Sequence, residues 1–178
     1  MDELIKLDPT FTESSFKTKV DNIFVMLHMS LMTDNMKRVK HFINDDVYNE
    51  FCGRLDVLNA NNERQMYDEL NVKSTTITDV EITDDKYIIT VNIVSRYMDY
   101  IVDKTTNKFL RGNNSSRVEK LNTLVFEKKR SAARQGVIRF CPNCGHPMDV
   151  NKSGYCTYCH STYNQENYDY VLTKITTY

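Results

Sequence analysis

The sequence predicts an α+β fold, on three observations. Apolar residues recur at helical intervals through the first third of the 178-residue chain, the period then changes to two in long β-branched runs, and alternation resumes after a cluster of four cysteines. Helices followed by long strands, with no βαβ alternation, imply helices packed on one antiparallel sheet. A single domain over residues 1–178 is expected, with the cysteine segment, residues 138–164, inserted between its last strands.

The helices come first. In "DPTFTE", Pro9 suits a first helical position, and Thr10 with Glu13 has capping-box spacing. Phe16, Val20, Ile23, Phe24, Leu27 and Leu31 then line one face of a helix that ends near Thr33. "DNMKRVKHFI" reads as a shorter helix. Asn44 caps a third, with Val47, Phe51, Leu55 and Leu58 on one face and Cys52 beside it.

Strands begin at Asn71 with "VKSTTITDVEI", and Asp84-Asp85 marks a turn. "YIITVNIVSRYMDYIV" places Tyr87, Ile89, Val91 and Ile93 on one face and Thr90, Asn92, Arg96 and Met98 on the other. "TTNKFLRGNNSS" is a polar hairpin loop in which Gly112 and Asn113 supply positive φ. "RVEKLNTLVFEKK" and "YDYVLTKITTY" are the remaining strands.

Composition excludes broad classes. Lysine and arginine total 23 against 24 acidic residues, a net charge of -1, so no global field draws the chain to nucleic acid or an anionic membrane. The most apolar run, residues 23–32, is too short to span a bilayer and contains His28 and Ser30. Asp2, Glu3 and Lys6 come early with no apolar run behind them, so no export signal is read. The expected location is the cytoplasm, with peripheral membrane contact as a variant; thiols there are kept reduced.

Cys141, Cys144, Cys156 and Cys159 form C-x2-C-x11-C-x2-C. Each pair brings two thiolates to one side of a tight turn, and two facing turns make a tetrahedral four-sulfur site. Pro142 stiffens the first turn, Gly145 permits the positive φ that aims N–H groups at sulfur, and Ser153-Gly154 reverses the chain. Disulfides fit a reducing compartment poorly, and a redox C-x-x-C normally stands alone at the start of a helix. The reading is one structural Zn2+ per chain, with iron the minor alternative. Four cysteine ligands leave no open position, so the metal is structural rather than catalytic. His146 and His160 lie beside the cluster as candidate substitute ligands or donors to the ligating thiolates, with exposed loop histidines the favoured reading.

The chain as a whole resembles the Tim44-like domain family, named for the C-terminal domain of the motor-anchoring subunit of the mitochondrial inner-membrane translocase. The resemblance runs through "FTESSFKTKVDNIFVMLHMSLMTDNMKRVKHFINDDVYNEF", "ELNVKSTTITDVEITDDKYIITVNIVSRYMDYIVD" and "LNTLVFEKK". It continues in "CPNCG", "CTYCH" and "YDYVLTKI", which are similar to the ribbon and last strand of bacterial relatives. It covers about residues 11–175. His160 stands where glycine is usual and Tyr170 where tryptophan is frequent. The resemblance implies a curved antiparallel sheet wrapped by the N-terminal helices, a cone like that of nuclear transport factor 2, with binding of peptides or membrane surfaces. No mitochondrial presequence is read, so the import role does not transfer.

Three functions compete. The first is a non-catalytic binding or scaffold protein whose cone takes a protein segment or touches a membrane surface. Phe24, Leu27, Met98, Tyr100 and Phe126 are its expected pocket lining, each equally explained by core packing. The second is nucleic-acid binding, with Lys128, Lys129, Arg130, Arg134 and Arg139 contacting an anionic partner and Tyr155, Tyr158 and Tyr163 stacking on bases. Interspersed Asp149, Glu166 and Asp169 count against it. The third is an enzyme using Asp99, His28 or Tyr100 as acid or base; no catalytic motif accompanies them and no small-molecule substrate is identifiable. The first is favoured, and no catalysis is expected.

Overall fold

The computed structural model describes residues 1–132, 140–141, 144–147, 156–160 and 169–178. Three helices, α1 (Asp2–Leu7), α2 (Glu13–Met32) and α3 (Asp45–Ala60), precede four strands, β1 (Glu63–Ile82), β2 (Lys86–Asp103), β3 (Phe109–Lys129) and β4 (Val171–Thr177). All neighbouring strands are antiparallel, in the order β1-β2-β3-β4. The cysteine segment lies between β3 and β4 in the chain, and these two strands are neighbours in the sheet.

α2 begins later than the capping-box reading places it. The Thr12 hydroxyl, not that of Thr10, accepts the Ser15 N–H. Thr10 instead donates its hydroxyl to Asp8 Oδ1 at 2.6 Å, because Asp8 is buried and its carboxylate takes the donors in reach. α1, unread in the sequence, is anchored by the fully buried Leu4. Asn44 caps α3 as expected, its side-chain oxygen accepting from Val47 N at 2.9 Å. The expected helix before it shrinks to one 3₁₀ turn, Met36–Arg38. The segment after that turn has another partner: Asn44 N donates to Leu172 O and Leu172 N to Phe42 O, both at 2.9 Å.

β1 starts at Glu63, before the Asn71 read from the alternation. A register shift between Asp68 and Asn71, with Glu69 at φ 55, interrupts the period-two pattern there. β3 likewise starts at Phe109. The hairpin reversal is made by Asp103, which accepts from Thr105 and Thr106, and by Asn107 at φ 57. Gly112 sits inside the strand at φ 104, where a Cβ would meet Asp99 O at 2.5 Å. The bulges give strands of about twenty residues the bend that lets one face close on the helices.

The core lies between α2 and that face. Tyr87, Ile89, Val91 and Ile93 of β2 and Leu124 and Phe126 of β3 meet Phe16, Val20, Ile23, Phe24 and Leu27 of α2. Two ion pairs bind the N-terminal region to the strand ends beside the cysteine segment. Lys128 Nζ lies 2.7 Å from Asp8 Oδ2, both side chains 5% exposed, and Lys19 Nζ lies 2.5 Å from Asp169 Oδ2. Burial raises the Asp8 pKa, but Lys128 and Thr10 outweigh it and hold the carboxyl below its usual range.

Lys128→Met alone is expected to cost about 3 kcal/mol, since it strands a buried carboxylate, whereas Asp8→Asn with Lys128→Met recovers most of the loss. Urea unfolding of the single and double variants checks this; equal stability would show that the pair is uncoupled.

Candidate functional site

Among the described residues, chemistry-bearing side chains gather at the cysteine cluster and at a cavity at one end of the sheet's inner face.

The four cysteine Sγ atoms all lie within 4.8 Å of one another. Cys141 and Cys159 are 3.6 Å apart and Cys144 and Cys156 3.7 Å, close to the ~3.8 Å edge of a tetrahedron with Zn–S bonds of about 2.3 Å. The two turns have matching backbones. Gly145 N donates to Cys141 O and His160 N to Cys156 O, each at 2.8 Å. Tyr158 N also points at Cys156 Sγ, 3.4 Å away. Donor type, distances and turn geometry fit one structural zinc, held by Cys141, Cys144, Cys156 and Cys159. Cysteine fills every tetrahedral position, so this metal folds its segment and has no site for a substrate.

His160 occupies the position that Gly145 holds in the first turn. Both lie in the left-handed region, Gly145 at φ 72 and His160 at φ 57, so the second turn keeps its shape at the expense of local strain. His146 and Tyr158 stack across the two turns, with ring centroids 4.6 Å apart.

The cavity measures about 220 Å³. His28 of α2 and Glu50, Phe51 and Arg54 of α3 form one wall; Tyr67 of β1, Tyr97 and Asp99 of β2 and Lys120 of β3 form the other. His28 is 6% exposed. Its Nδ1–H donates to Phe24 O at 2.8 Å, and its ring meets Tyr67 edge-on at 4.7 Å. Burial pushes the His28 pKa down to about 4, assisted by the Arg54 charge, against the opposing effect of the Phe24 hydrogen bond. The ring is therefore neutral at pH 7. Burial likewise pushes Tyr67 up to about 12, with Arg54 opposing and Asp99 adding to the shift. Tyr97 is raised by burial first and then by Asp99. Gln65 Nε2 donates to Asp99 Oδ1 at 2.8 Å, which orients the carboxylate.

The structure redistributes the residues singled out from sequence. Phe24, Leu27 and Phe126 are fully buried core side chains. Met98 and Tyr100 fall on the outer face, because period two puts them opposite Tyr97 and Asp99; the Tyr100 hydroxyl donates to Asp68 Oδ2 at 2.5 Å. None of the five is among the side chains lining the cavity. Asp99 and His28 do line it. Strand parity, followed from Tyr87 to Asp99, could have found Tyr97 and Asp99; the α3 side chains carried no comparable signal.

The basic run is smaller than its sequence suggests. Lys128 is buried against Asp8 and faces the Tyr170 ring at 5.4 Å, so it is not available to an anionic partner. The cause is again parity, since Lys128 shares the inward face of Phe126. Arg130 is exposed and donates to Thr83 O at 3.0 Å; Lys129 is half-buried. Arg134, Arg139, Tyr155 and Tyr163 lie outside the described residues.

Two outcomes are expected. Because the folded His28 pKa lies below the unfolded value of about 6.5, its contribution is intact above pH 6.5 and is lost as pH falls towards 4, by roughly 3 kcal/mol in all. Urea unfolding at pH 7.5 and 4.5 checks this, and His28→Gln should remove that part of the slope. Zinc analysis should give one ion per chain, abolished by Cys156→Ser. His160→Gly should slow zinc loss to a chelator, by up to about 1 kcal/mol of relieved strain; faster loss would contradict the strain reading.

Comparison with known proteins follows the same division. The sequence model described as the Tim44-like domain matches residues 1–137, and that described as the NADH pyrophosphatase zinc ribbon domain matches residues 139–164. No curated protein matches the chain. The helices and the first three strands fall within the first match, β4 follows the second, and the chain belongs to the Tim44-like domain family, with a zinc ribbon following its third strand.

Proposed function

We propose that this protein is a non-catalytic binding or scaffold protein that docks a protein segment or a membrane surface, its zinc ribbon bracing or extending the sheet. The observation that carries this reading is membership of a non-catalytic family across the helices and the first three strands, joined to a metal site with no open position. The filled core supports docking on an outer surface rather than insertion of an apolar segment. Phe24, Leu27 and Phe126 occupy the interior that an acyl chain or apolar peptide would need. Outside, the β2–β3 hairpin presents Phe109 and Leu110, 41% and 44% exposed, beside Lys108, while Arg111 is paired with Glu63 at 2.5 and 2.7 Å. Exposed apolar side chains beside a lysine suit an anionic membrane or an acidic apolar segment. Among the described residues no helix is long and apolar enough to cross a membrane.

Nucleic-acid binding is the second reading. The exposed Tyr158 and Arg130 support it, and the burial of Lys128 weakens it. Catalysis draws on His28 and Asp99 sharing a cavity, but a ring held near pKa 4 is a poor proton acceptor at neutral pH.

Sedimentation of the zinc-loaded full chain with phosphatidylserine-containing vesicles, beside an apolar-acidic peptide array and a random oligonucleotide shift, tests the order of these readings. Binding to vesicles or peptides is expected, lost in Phe109→Ser with Leu110→Ser. Binding only to oligonucleotides, with a slope of several in log salt, would replace it with the second reading.

A further inference from the structure

The cavity is lined by four charged side chains, of which Glu50 and Arg54 on α3 are exposed and Asp99 and Lys120 on the strands are half-buried. Glu50 and Asp99 are acidic, Arg54 and Lys120 basic, and all four line it; among the described residues none of them forms an ion pair. Two of them have fixed positions: Gln65 holds Asp99 through one oxygen, and the Arg54 guanidinium rests over the Phe51 ring at 4.8 Å. Glu50 and Lys120 stand on different walls, α3 and β3.

The base of the cavity is also prepared. His28 is more than nine-tenths buried and lines it, with Nδ1–H committed to Phe24 O, so that Nε2 is the ring atom left to accept a ligand's hydrogen bond. Tyr67 and Tyr97 add an edge-to-face pair at 5.3 Å, whose rings offer a surface to a cation. The polar lining is confined to one end. Along β2 the inner face passes from Tyr87, Ile89, Val91 and Ile93 to Ser95, Tyr97 and Asp99. Along β3 it passes from Phe126 and Leu124 to Asn122 and Lys120.

The geometry points to a small-ligand site that takes an amino-acid-sized zwitterion, its ammonium between Asp99, Glu50 and the tyrosine rings and its carboxylate on Arg54 and Lys120. A volume of about 220 Å³ accommodates an amino acid. A doubly charged ligand meets both signs of charge in the lining, whereas a cation or an anion alone meets one. The site is independent of the docking surface on the β2–β3 hairpin.

Isothermal titration of the zinc-loaded full chain with each free L-amino acid tests this, followed by the N-acetyl and methyl-ester derivatives of the best binder. At least one amino acid is expected to bind with Kd below ~10 mM, each derivative at least about tenfold more weakly. Asp99→Asn and Arg54→Ala should each weaken binding by about tenfold without changing the far-ultraviolet circular dichroism. Two substitutions on separate elements keep the test readable if one disturbs folding. Absence of binding by every amino acid, equal binding of a singly charged derivative, or unchanged binding in both folded variants would overturn the assignment.

Discussion

The inner face of β2 is the constraint on which the rest of this structure depends. From Tyr87 to Ile93 its inward side chains are apolar and enclosed, and α2 covers them with a matching stripe. Each such side chain contributes about 1.5–3 kcal/mol when fully buried, so this contact sets the register of the sheet against the helices. A slip of one residue would turn Thr90, Asn92 and Val94 inward in place of Ile89, Val91 and Ile93. β1 and β3 then pair along nearly the whole length of β2.

The same face explains why the cavity forms where it does. Beyond Ile93 the inward positions turn polar, and polar side chains are buried only with partners. Asn122, fully buried, meets this requirement by donating to Ser95 Oγ at 3.0 Å and accepting from Thr177 Oγ1 at 2.8 Å. Tyr97, Asp99 and Lys120, one step further, border open space instead. The core and the cavity are two stretches of one surface, separated by a layer of satisfied polar groups. The zinc ribbon solves a different problem. It has too few residues to bury a core, and metal ligation supplies its folding energy. The chain on either side of it is held to the N-terminal region by Lys128–Asp8 and Lys19–Asp169.

Much of this was legible in the order of residues. The helical stripe of α2, the Asn44 cap, the Asp84-Asp85 turn, the alternation of β2 and the four-cysteine spacing are local patterns. A local pattern is written by short-range chemistry: side-chain direction in a helix or strand, a cap's hydrogen bond, or the reach of a C-x-x-C turn. The early start of β1 was hidden because Glu69 and its bulge broke the period. The helix expected over residues 34–43 lost to backbone bonds with Leu172, a residue far away in the chain.

The sequence by itself determined the fold class, the metal and its four ligands, because periodicity and ligand spacing act over a few residues. Only the tertiary structure decided which polar and charged side chains meet. Lys128 reads as part of a basic run, yet lies buried on Asp8 because its strand position faces inward and a carboxylate from the other end of the chain waits there. Arg54, Tyr67, Asp99 and Lys120 are unremarkable in sequence and become one cavity only when α3 is laid across three strands. Such encounters depend on register and packing between distant segments, and no short stretch of sequence encodes them.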